Sequence, residues 1–244
     1  MLPLIRAPEA ELIPKIIHYC WLGQTPQSEL NKMCIASWQR VMPAYRLKLW
    51  DETNVPLDNK YARAAYAAGA WSRLSNHVRF HALYTEGGIY LDTDVEVRKD
   101  FAPLLRHKCF LGFQQVEEQE DWVNSAVSGA QPGHPFIKRC SELTQSLFAA
   151  TGVFPRSPQV VTRLLKEQGL REYKLQEIDD VTVYPAEYFY PYPWFGSFSP
   201  DCITAHTHCI HYWEGSWRKP EQPAKLSPRR VVKRLLRALR PSVE

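Results

Sequence analysis

Apolar runs and amphipathic stretches alternate along most of this chain. Short apolar or alternating runs predict strands at 13–23, 45–50, 89–91, 108–113, 124–128, 181–184 and 203–212. Apolar side chains at helical spacing predict helices at 27–41, 58–70, 72–86, 135–149 and 158–167. Strands that alternate with helices indicate an α/β protein with a mainly parallel central sheet flanked by helices.

Two carboxylates follow one of the predicted strands, one residue apart. Asp92 and Asp94 come directly after the run 89–91, which itself follows the pair Gly87-Gly88. Residues i and i+2 of a strand point to the same side, so both side chains are predicted to project from the carboxyl end of the sheet, where α/β proteins bind ligands. Hard oxygen ligands at this spacing suit Mg²⁺ or Mn²⁺. The alternative is that both residues cap a turn.

The context of the two carboxylates resembles a known signature. A helix at 72–86, a Gly-Gly stop, an apolar strand and an Asp-x-Asp triplet are similar to the DxD-containing glycosyltransferases related to yeast initiating mannosyltransferases. Bacterial capsule and lipopolysaccharide sugar transferases and bacterial glucosylating toxins carry similar signatures. The residues that match the family pattern are Ser75, Arg79, Leu83, Tyr84, Gly87, Gly88, Tyr90, Asp92 and Asp94. Asn76 stands where the family usually has Asp.

The resemblance implies a GT-A fold and a metal site for a nucleotide-sugar. Asp94 would be a direct metal ligand, and Asp92 would reach the donor ribose, the sugar or a metal-bound water. The late segment 211–217 is similar to a family stretch that completes the metal shell, with His211 as the candidate ligand and Ser216 as the alternative. Trp217 would pack against the diphosphate or the sugar. Without the resemblance, His211 is a strand-end histidine and Trp217 a core residue.

The same resemblance assigns residues to the donor. Trp21 would stack on the nucleotide base, although burial under the sheet edge explains it equally well, and Leu22 and Gly23 would offer backbone groups. Arg79 would contact the donor sugar or diphosphate, since a guanidinium can make two parallel hydrogen bonds. A salt bridge to Glu86 or another surface acid is the alternative for Arg79.

Three further polar residues belong to the predicted donor site. Ser75 precedes Arg79 by one helical turn and shares its face. Asn76 can exchange hydrogen bonds with sugar hydroxyls but brings no charge, which leaves the sugar undefined. Asn124 lies in a segment similar to the family's second sugar-side strand. His77 and His81 are interpreted as packing or surface residues.

The prolines of the aromatic segment 184–195 exclude a regular helix or central strand, and its aromatic content is too high for a solvated linker. We expect an ordered loop packed on the body of the protein; lining the acceptor side is the alternative.

Length and composition support one domain with a distinct tail. The 244 residues suit a single domain at 1–222, followed by a linker and tail at 223–244. The six cysteines include no C-x-x-C pair, and no secretory or membrane-spanning segment is recognised, which predicts free thiols in a reducing bacterial cytoplasm. Histidines and cysteines at 202–211 match no standard zinc spacing, so zinc is not expected there.

The net charge of +4 is concentrated in the tail. Residues 225–244 contain seven basic residues and one acidic residue, and 229–240 predicts an amphipathic helix with basic residues opposite an apolar stripe. Such a helix suits an anionic membrane surface, here the inner face of the bacterial membrane. Docking on its own domain or in a dimer is the alternative. No nucleic-acid recognition module accompanies the charge.

These observations predict a metal-dependent glycosyltransferase in bacterial surface polysaccharide synthesis. The resemblance implies transfer of a hexose, with retention, from a nucleotide-sugar to a glycan or lipid-linked acceptor, with Mn²⁺ or Mg²⁺ and a UDP-sugar preferred to a GDP-sugar. A non-catalytic nucleotide-sugar or carbohydrate-binding protein on the same fold is the alternative, motivated by Asn76. A membrane or protein adaptor with a basic tail is a further alternative.

Overall fold

The structure is a computed structural model that describes residues 11–215. Within this range the chain up to Trp213 forms one compact unit. The predicted domain boundary after residue 222 and the predicted tail helix lie outside the described residues. No helix between residues 11 and 215 is long and apolar enough to cross a bilayer.

A seven-stranded sheet forms the centre of the molecule, in the order β2-β1-β3-β6-β5-β8-β7. Strands β1, β2, β3, β5 and β8 run in one direction, whereas β6 and β7 are antiparallel to their neighbours. The expectation of a mainly parallel sheet is therefore confirmed. The strands are β1 Ile16–Cys20, β2 Arg46–Trp50, β3 Gly88–Leu91, β4 Val95–Val97, β5 Cys109–Phe113, β6 Val123–Ala130, β7 Gln176–Ile178, β8 Val181–Tyr184 and β9 Cys209–His211.

Five helices flank this sheet. They are α1 Glu29–Val41, α2 Lys60–Ala67, α3 Trp71–Thr85, α4 Pro135–Thr151 and α5 Ser157–Glu167. Helix α3 packs on β1 and β3, α5 packs on β6, and α4 contacts both helices. Helix α1 packs instead against β4. This arrangement places α3, which contains the first part of the DxD signature, directly over β3, the strand that ends before the two carboxylates.

The last strand differs from its prediction. A strand was expected over 203–212, but only Cys209–His211 is extended, and it pairs with β4 in a separate two-stranded sheet. Residues 204–207 instead close a turn, in which Thr204 N–H donates to Thr207 Oγ1 at 3.0 Å. The strands β4 and β7 were not predicted, since three residues are too few for a periodic pattern.

The aromatic segment at 184–195 is an ordered part of the body, as expected. A short 3-10 turn at Ala186–Tyr188 leads into Phe189 and Tyr190, which are fully buried. The backbone N–H of Val127, on β6, donates to the Tyr190 hydroxyl oxygen at 2.9 Å. The loop therefore packs beneath the strand that borders β3.

The Gly-Gly pair turns the chain from α3 into β3. Gly87 and Gly88 have φ angles of +65° and +104°, a region that L side chains rarely adopt. A Cβ on Gly88 would lie 2.6 Å from the Ile16 carbonyl oxygen of β1. Glycine is thus required for the tight approach that sets the position of β3 beside β1.

A buried histidine holds this turn in place. Trp50 Nε1 donates to His18 Nδ1 at 3.2 Å, so the neutral ring carries its proton on Nε2 and donates to the Gly87 carbonyl oxygen at 2.8 Å. Burial lowers the pKa of His18 to about 4, although the Gly87 hydrogen bond opposes the shift. His18 is therefore neutral in the folded protein at neutral pH.

This histidine makes folding stability depend on pH. Between pH 6.5 and 4 the unfolded chain binds a proton that folded His18 does not, so the free energy of unfolding falls as the pH falls through this window, by about 3 kcal/mol from this residue. Urea unfolding at pH 7 and pH 4 measures the loss. We expect His18→Gln to be less stable at pH 7 but to lose less on acidification. Equal losses in both proteins would contradict this assignment.

Candidate active site

The two predicted carboxylates lie on the turn that joins β3 to β4. Asp92 N–H donates to the Ala126 carbonyl oxygen of β6 at 2.9 Å, and Val95 N–H donates to the Asp92 carbonyl oxygen at 3.1 Å. β3 ends at Leu91, so the two residues do not share a strand face as predicted. The turn nevertheless brings both side chains to one place.

Asp92 is held by the buried Arg79. Arg79 Nη2 lies 2.6 Å from Asp92 Oδ1, and Nη1 donates to the hydroxyl oxygens of Ser125 at 2.7 Å and Ser157 at 3.2 Å. The guanidinium also lies over the Tyr90 ring, 4.5 Å from its centre. The Arg79 side chain is 3% exposed, whereas that of Asp92 is 30% exposed. Asp92 can therefore reach a ligand while its position is fixed from behind.

The alternative assignment of Arg79 to a surface salt bridge is wrong. Glu86, the proposed partner, is instead paired with Lys48 and Arg46 at the far end of α3. Within residues 11–215, Arg79 Nε is buried without a hydrogen-bond partner. The buried guanidinium thus binds Asp92 on the carboxylate turn and not an acid at the protein surface.

Asp94 is paired with His211, which comes from the end of the described chain. The β4–β9 ladder places Val95 opposite His211, and Tyr212 N–H donates to the Asp94 carbonyl oxygen at 3.0 Å. His211 Nε2 lies 3.1 Å from Asp94 Oδ1, and the Trp213 ring centre lies 4.0 Å from that of His211. The small second sheet is therefore what carries His211 to the carboxylates.

Asp92, Asp94 and His211 form one cluster, in which one potential ligand atom from each lies within 4.8 Å of the others. Two carboxylates and an imidazole are suitable ligands for Mn²⁺ and acceptable for Mg²⁺. In the described part of the chain, His211 Nδ1 is buried and unpartnered. The residues present thus fit a divalent cation.

The charges of the cluster are mutually dependent. Burial raises the pKa of Asp92, while the positive charges of Arg79 and His211 act against this rise. Burial would lower the pKa of His211, but the neighbouring Asp94 carboxylate more than offsets it, so the net shift is upward. The protonation of His211 is therefore coupled to the charges of the two carboxylates.

The predicted base-binding segment follows β1 directly. Trp21 is partly exposed, and its Nε1 donates to the Thr25 carbonyl oxygen at 2.7 Å. Leu22 is buried, whereas Gly23 N–H donates to Glu52 Oε1 at 2.6 Å. The amide of Gly23 is thus occupied within the protein, which weakens its assignment as a donor to a nucleotide.

The predicted sugar-side residues have different surroundings. Ser75 Oγ donates to the Ser72 carbonyl oxygen at 3.0 Å. Asn76 is 7% exposed, and no hydrogen bond of its amide occurs among the described residues. Asn124 Nδ2 donates to Gln114 Oε1 at 2.7 Å, and Asn124 Oδ1 accepts from a backbone N–H. Asn124 is therefore engaged within the protein, whereas Asn76 is available.

The hydroxyl partners of Arg79 were not predicted from the sequence. Ser125 and Ser157 lie 46 and 78 positions away along the chain, and an isolated serine carries no local signal of such a contact. Tyr90 was noted only as part of the signature. The predicted residues Ser216 and Trp217 lie outside the described residues.

Comparison with known families matches two parts of the chain. A family model described as a glycosyltransferase sugar-binding region containing the DXD motif matches residues 28–111. A second model, described as an alpha 1,4-glycosyltransferase conserved region, matches residues 129–242. The first match contains Asp92 and Asp94, and the second contains His211.

Curated relatives are similar over part of their length. An inositol phosphoceramide mannosyltransferase of Schizosaccharomyces pombe is 28% identical over 53% of this chain and 36% of its own. A lactosylceramide 4-alpha-galactosyltransferase of Mus musculus is 28% identical over 71% of this chain and 49% of its own. The chain thus spans half or less of these relatives.

Among solved structures, the PaToxG glycosyltransferase has a similar fold. It superposes with a TM-score of 0.52 at 19% identity, covering 64% of this chain and 70% of the other. Both family models and this solved structure are described as glycosyltransferases, and the first model contains the Asp-x-Asp turn. The chain is therefore similar to DXD-containing glycosyltransferases over residues 28–111 and to alpha 1,4-glycosyltransferases over residues 129–242, and it shares the fold of a solved glycosyltransferase.

Proposed function

We propose that the chain is a metal-dependent glycosyltransferase that moves a hexose from a nucleotide-sugar to a glycan or lipid-linked acceptor. The observation that carries this proposal is the convergence of Asp92, Asp94 and His211 at the end of β3. A UDP-sugar is the preferred donor and retention the preferred stereochemistry; both rest on the resemblance of the DxD signature.

Asp94, His211 and Asp92 would hold Mn²⁺ or Mg²⁺, with Ser216 as an alternative ligand outside the described residues. When bound, such an ion acts as a Lewis acid that stabilises the departing diphosphate. Arg79 is a positioning residue in this proposal, because its two terminal nitrogens are already bound to Asp92, Ser125 and Ser157. It would hold the Asp92 carboxylate in place through the 2.6 Å contact between Arg79 Nη2 and Asp92 Oδ1.

The donor and acceptor would lie on different sides of this cluster. Trp21 is the proposed contact of the base, and Ser75 and Asn76 are proposed to face the sugar. Trp194, Phe195 and Phe198 are exposed on the loop that follows Tyr192, and this loop contacts Trp213 and Tyr212 beside His211. Exposed aromatic rings stack on sugar faces and pack on acyl chains, and the relatives described above are named for ceramide-based acceptors. This loop is therefore the proposed acceptor side.

A donor panel tests the proposal. UDP- and GDP-hexoses are incubated with Mn²⁺, and hydrolysis and transfer are measured. We expect turnover of one donor, lost in EDTA and restored by Mn²⁺, with a product of retained configuration by NMR. No turnover, combined with no Mn²⁺-dependent nucleotide binding, would contradict the proposal.

A second candidate function is a non-catalytic nucleotide-sugar or carbohydrate-binding protein. It is favoured by Asn76, which replaces the acid that the family usually carries. Binding of a UDP-sugar without turnover would support this function. Restoring the acid in Asn76→Asp would then be expected to produce measurable hydrolysis.

The proposed location is the cytoplasmic face of a bacterial membrane, in surface polysaccharide synthesis. All six cysteines are free thiols, as is typical of a reducing compartment. The basic sequence at 225–244 would bind the anionic surface.

This membrane proposal makes a measurable prediction. We expect the full chain to sediment with vesicles that contain phosphatidylglycerol, and not with phosphatidylcholine vesicles, because several Lys and Arg side chains each contribute about 1 kcal/mol near an anionic surface. Removing residues 225–244 should abolish cosedimentation. Unchanged binding of the truncated chain would refute the role of the tail.

A further inference from the structure

A second group of potential metal ligands lies on α3 and the loop before α2. His77 and His81 are one helical turn apart on α3, so their side chains share a face. Asp58 stands directly before Asn59, the residue that caps α2. One ligand atom from each of Asp58, His77 and His81 lies within 4.8 Å of the others.

His77 carries an unsatisfied nitrogen in this group. Its side chain is 4% exposed and its Nε2 lies 3.3 Å from Asp58 Oδ1, yet Nε2 has no hydrogen-bond partner of acceptable geometry among the described residues. The other nitrogen, Nδ1, contacts Asn59 Nδ2 at 3.4 Å. A buried polar atom without a partner is costly and rare in folded proteins. A bound cation would satisfy it.

Both imidazoles are in the state that metal binding needs. Burial lowers the pKa of His77 and of His81, although the Asp58 carboxylate opposes both shifts. Neutral imidazole offers a lone pair to a metal ion. The charged groups that act on these rings are Asp58 on both, Glu86 and Lys48 on His81, and His81 itself on His77.

We infer that Asp58, His77 and His81 form a zinc site that is separate from the carboxylate turn. Two imidazoles and one carboxylate are the donors that zinc sites use, and water can complete the tetrahedron. The Asp58 side chain is 59% exposed, so the ion can enter from solvent. The earlier interpretation of these histidines as packing or surface residues is replaced by this proposal.

Zinc at this site would join two helices. Asp58 precedes α2, and the histidines flank Arg79 on α3, the helix that supports Asp92. The ion would therefore stabilise the helix on which the donor site depends, without contacting the donor. It shares no residue with the cluster of Asp92, Asp94 and His211.

The test uses Zn²⁺ alone, with the full chain in the Asp94→Asn background, so that the carboxylate cluster is disabled. Competition with a fluorescent chelator measures affinity and stoichiometry. We expect one Zn²⁺ per chain, and binding weakened by more than about 100-fold when Asp58→Asn or His81→Ala is added. These positions are exposed or half-buried, so the fold is retained; His77 is avoided because it is buried.

The matched control is His206→Ala, which removes an exposed histidine elsewhere. It should leave both affinity and the zinc-induced rise in Tm unchanged. The inference is overturned if the Asp94→Asn protein binds no zinc, or if Asp58→Asn and His81→Ala bind it as tightly as their parent. Neither result depends on donor turnover, so failure here is distinguishable from failure of the proposed function.

Discussion

Asp94→Asn is expected to lower sugar transfer by about a thousandfold or more, with little change in fold. The substitution keeps the shape of the side chain but removes the charge that faces His211, in a position only 12% exposed. Loss of electrostatic stabilisation at a developing charge costs about 10²–10³ in kcat, and the proposed cation would be lost with it. Transfer rates and Mn²⁺ titrations of the purified variant measure both effects.

Asp180→Asn is the matched control for this experiment. Asp180 is an exposed carboxylate paired with Lys108, far along the sheet at the turn between β7 and β8. Its replacement should leave rate and Mn²⁺ affinity unchanged. A transfer rate in Asp94→Asn that equals the wild-type rate would remove Asp94 from the proposed metal site.

Arg79→Met is expected to reduce both stability and activity. It removes a buried guanidinium and leaves Asp92, Ser125 and Ser157 without their donor. Breaking a buried ion pair costs about 3–5 kcal/mol, and the partial exposure of Asp92 favours the lower end of this range. Urea unfolding measures the stability, and the donor assay measures the rate.

The double variant Arg79→Met with Asp92→Asn separates the two effects. Removing the unpaired carboxylate should recover part of the stability, since no isolated charge remains, but it should recover no activity. If Arg79→Met alone unfolds like the wild type, the ion pair does not hold the turn. If the double variant regains transfer, Asp92 has no role in donor binding.

Local features of the sequence were sufficient to predict most of the fold. The Gly-Gly pair, the apolar run of β3 and the periodicity of α3 are determined by near neighbours, so they can be read from a short window. The pairing of β4 with β9 could not be predicted, because it joins residues more than a hundred positions apart. The strand predicted over 203–212 was too long for a different reason: alternation alone does not show that a turn at 204–207 interrupts it.

In the candidate site, too, local sequence identified some residues, whereas residues brought in by long-range contacts were not predicted. Asp92 and Asp94 stand out by spacing, and His211 was found only through resemblance to a family segment. The hydroxyls of Ser125 and Ser157 could not be anticipated, because long-range contacts to a buried Arg79 have no sequence signature. His77 and His81 were interpreted as packing or surface residues, because Asp58 becomes their neighbour only after α2 and α3 have packed.

The β4–β9 ribbon has a consequence for biosynthesis. Glu96 and Tyr212 are bonded across it although 116 positions separate them in the chain. At a synthesis rate of about 5–20 residues per second, the ribosome needs roughly 6–23 seconds to make the intervening segment. During that interval Asp94 has been synthesised but its partner His211 has not. The nascent protein therefore acquires its complete cluster of Asp92, Asp94 and His211 only after residue 211 has left the ribosome.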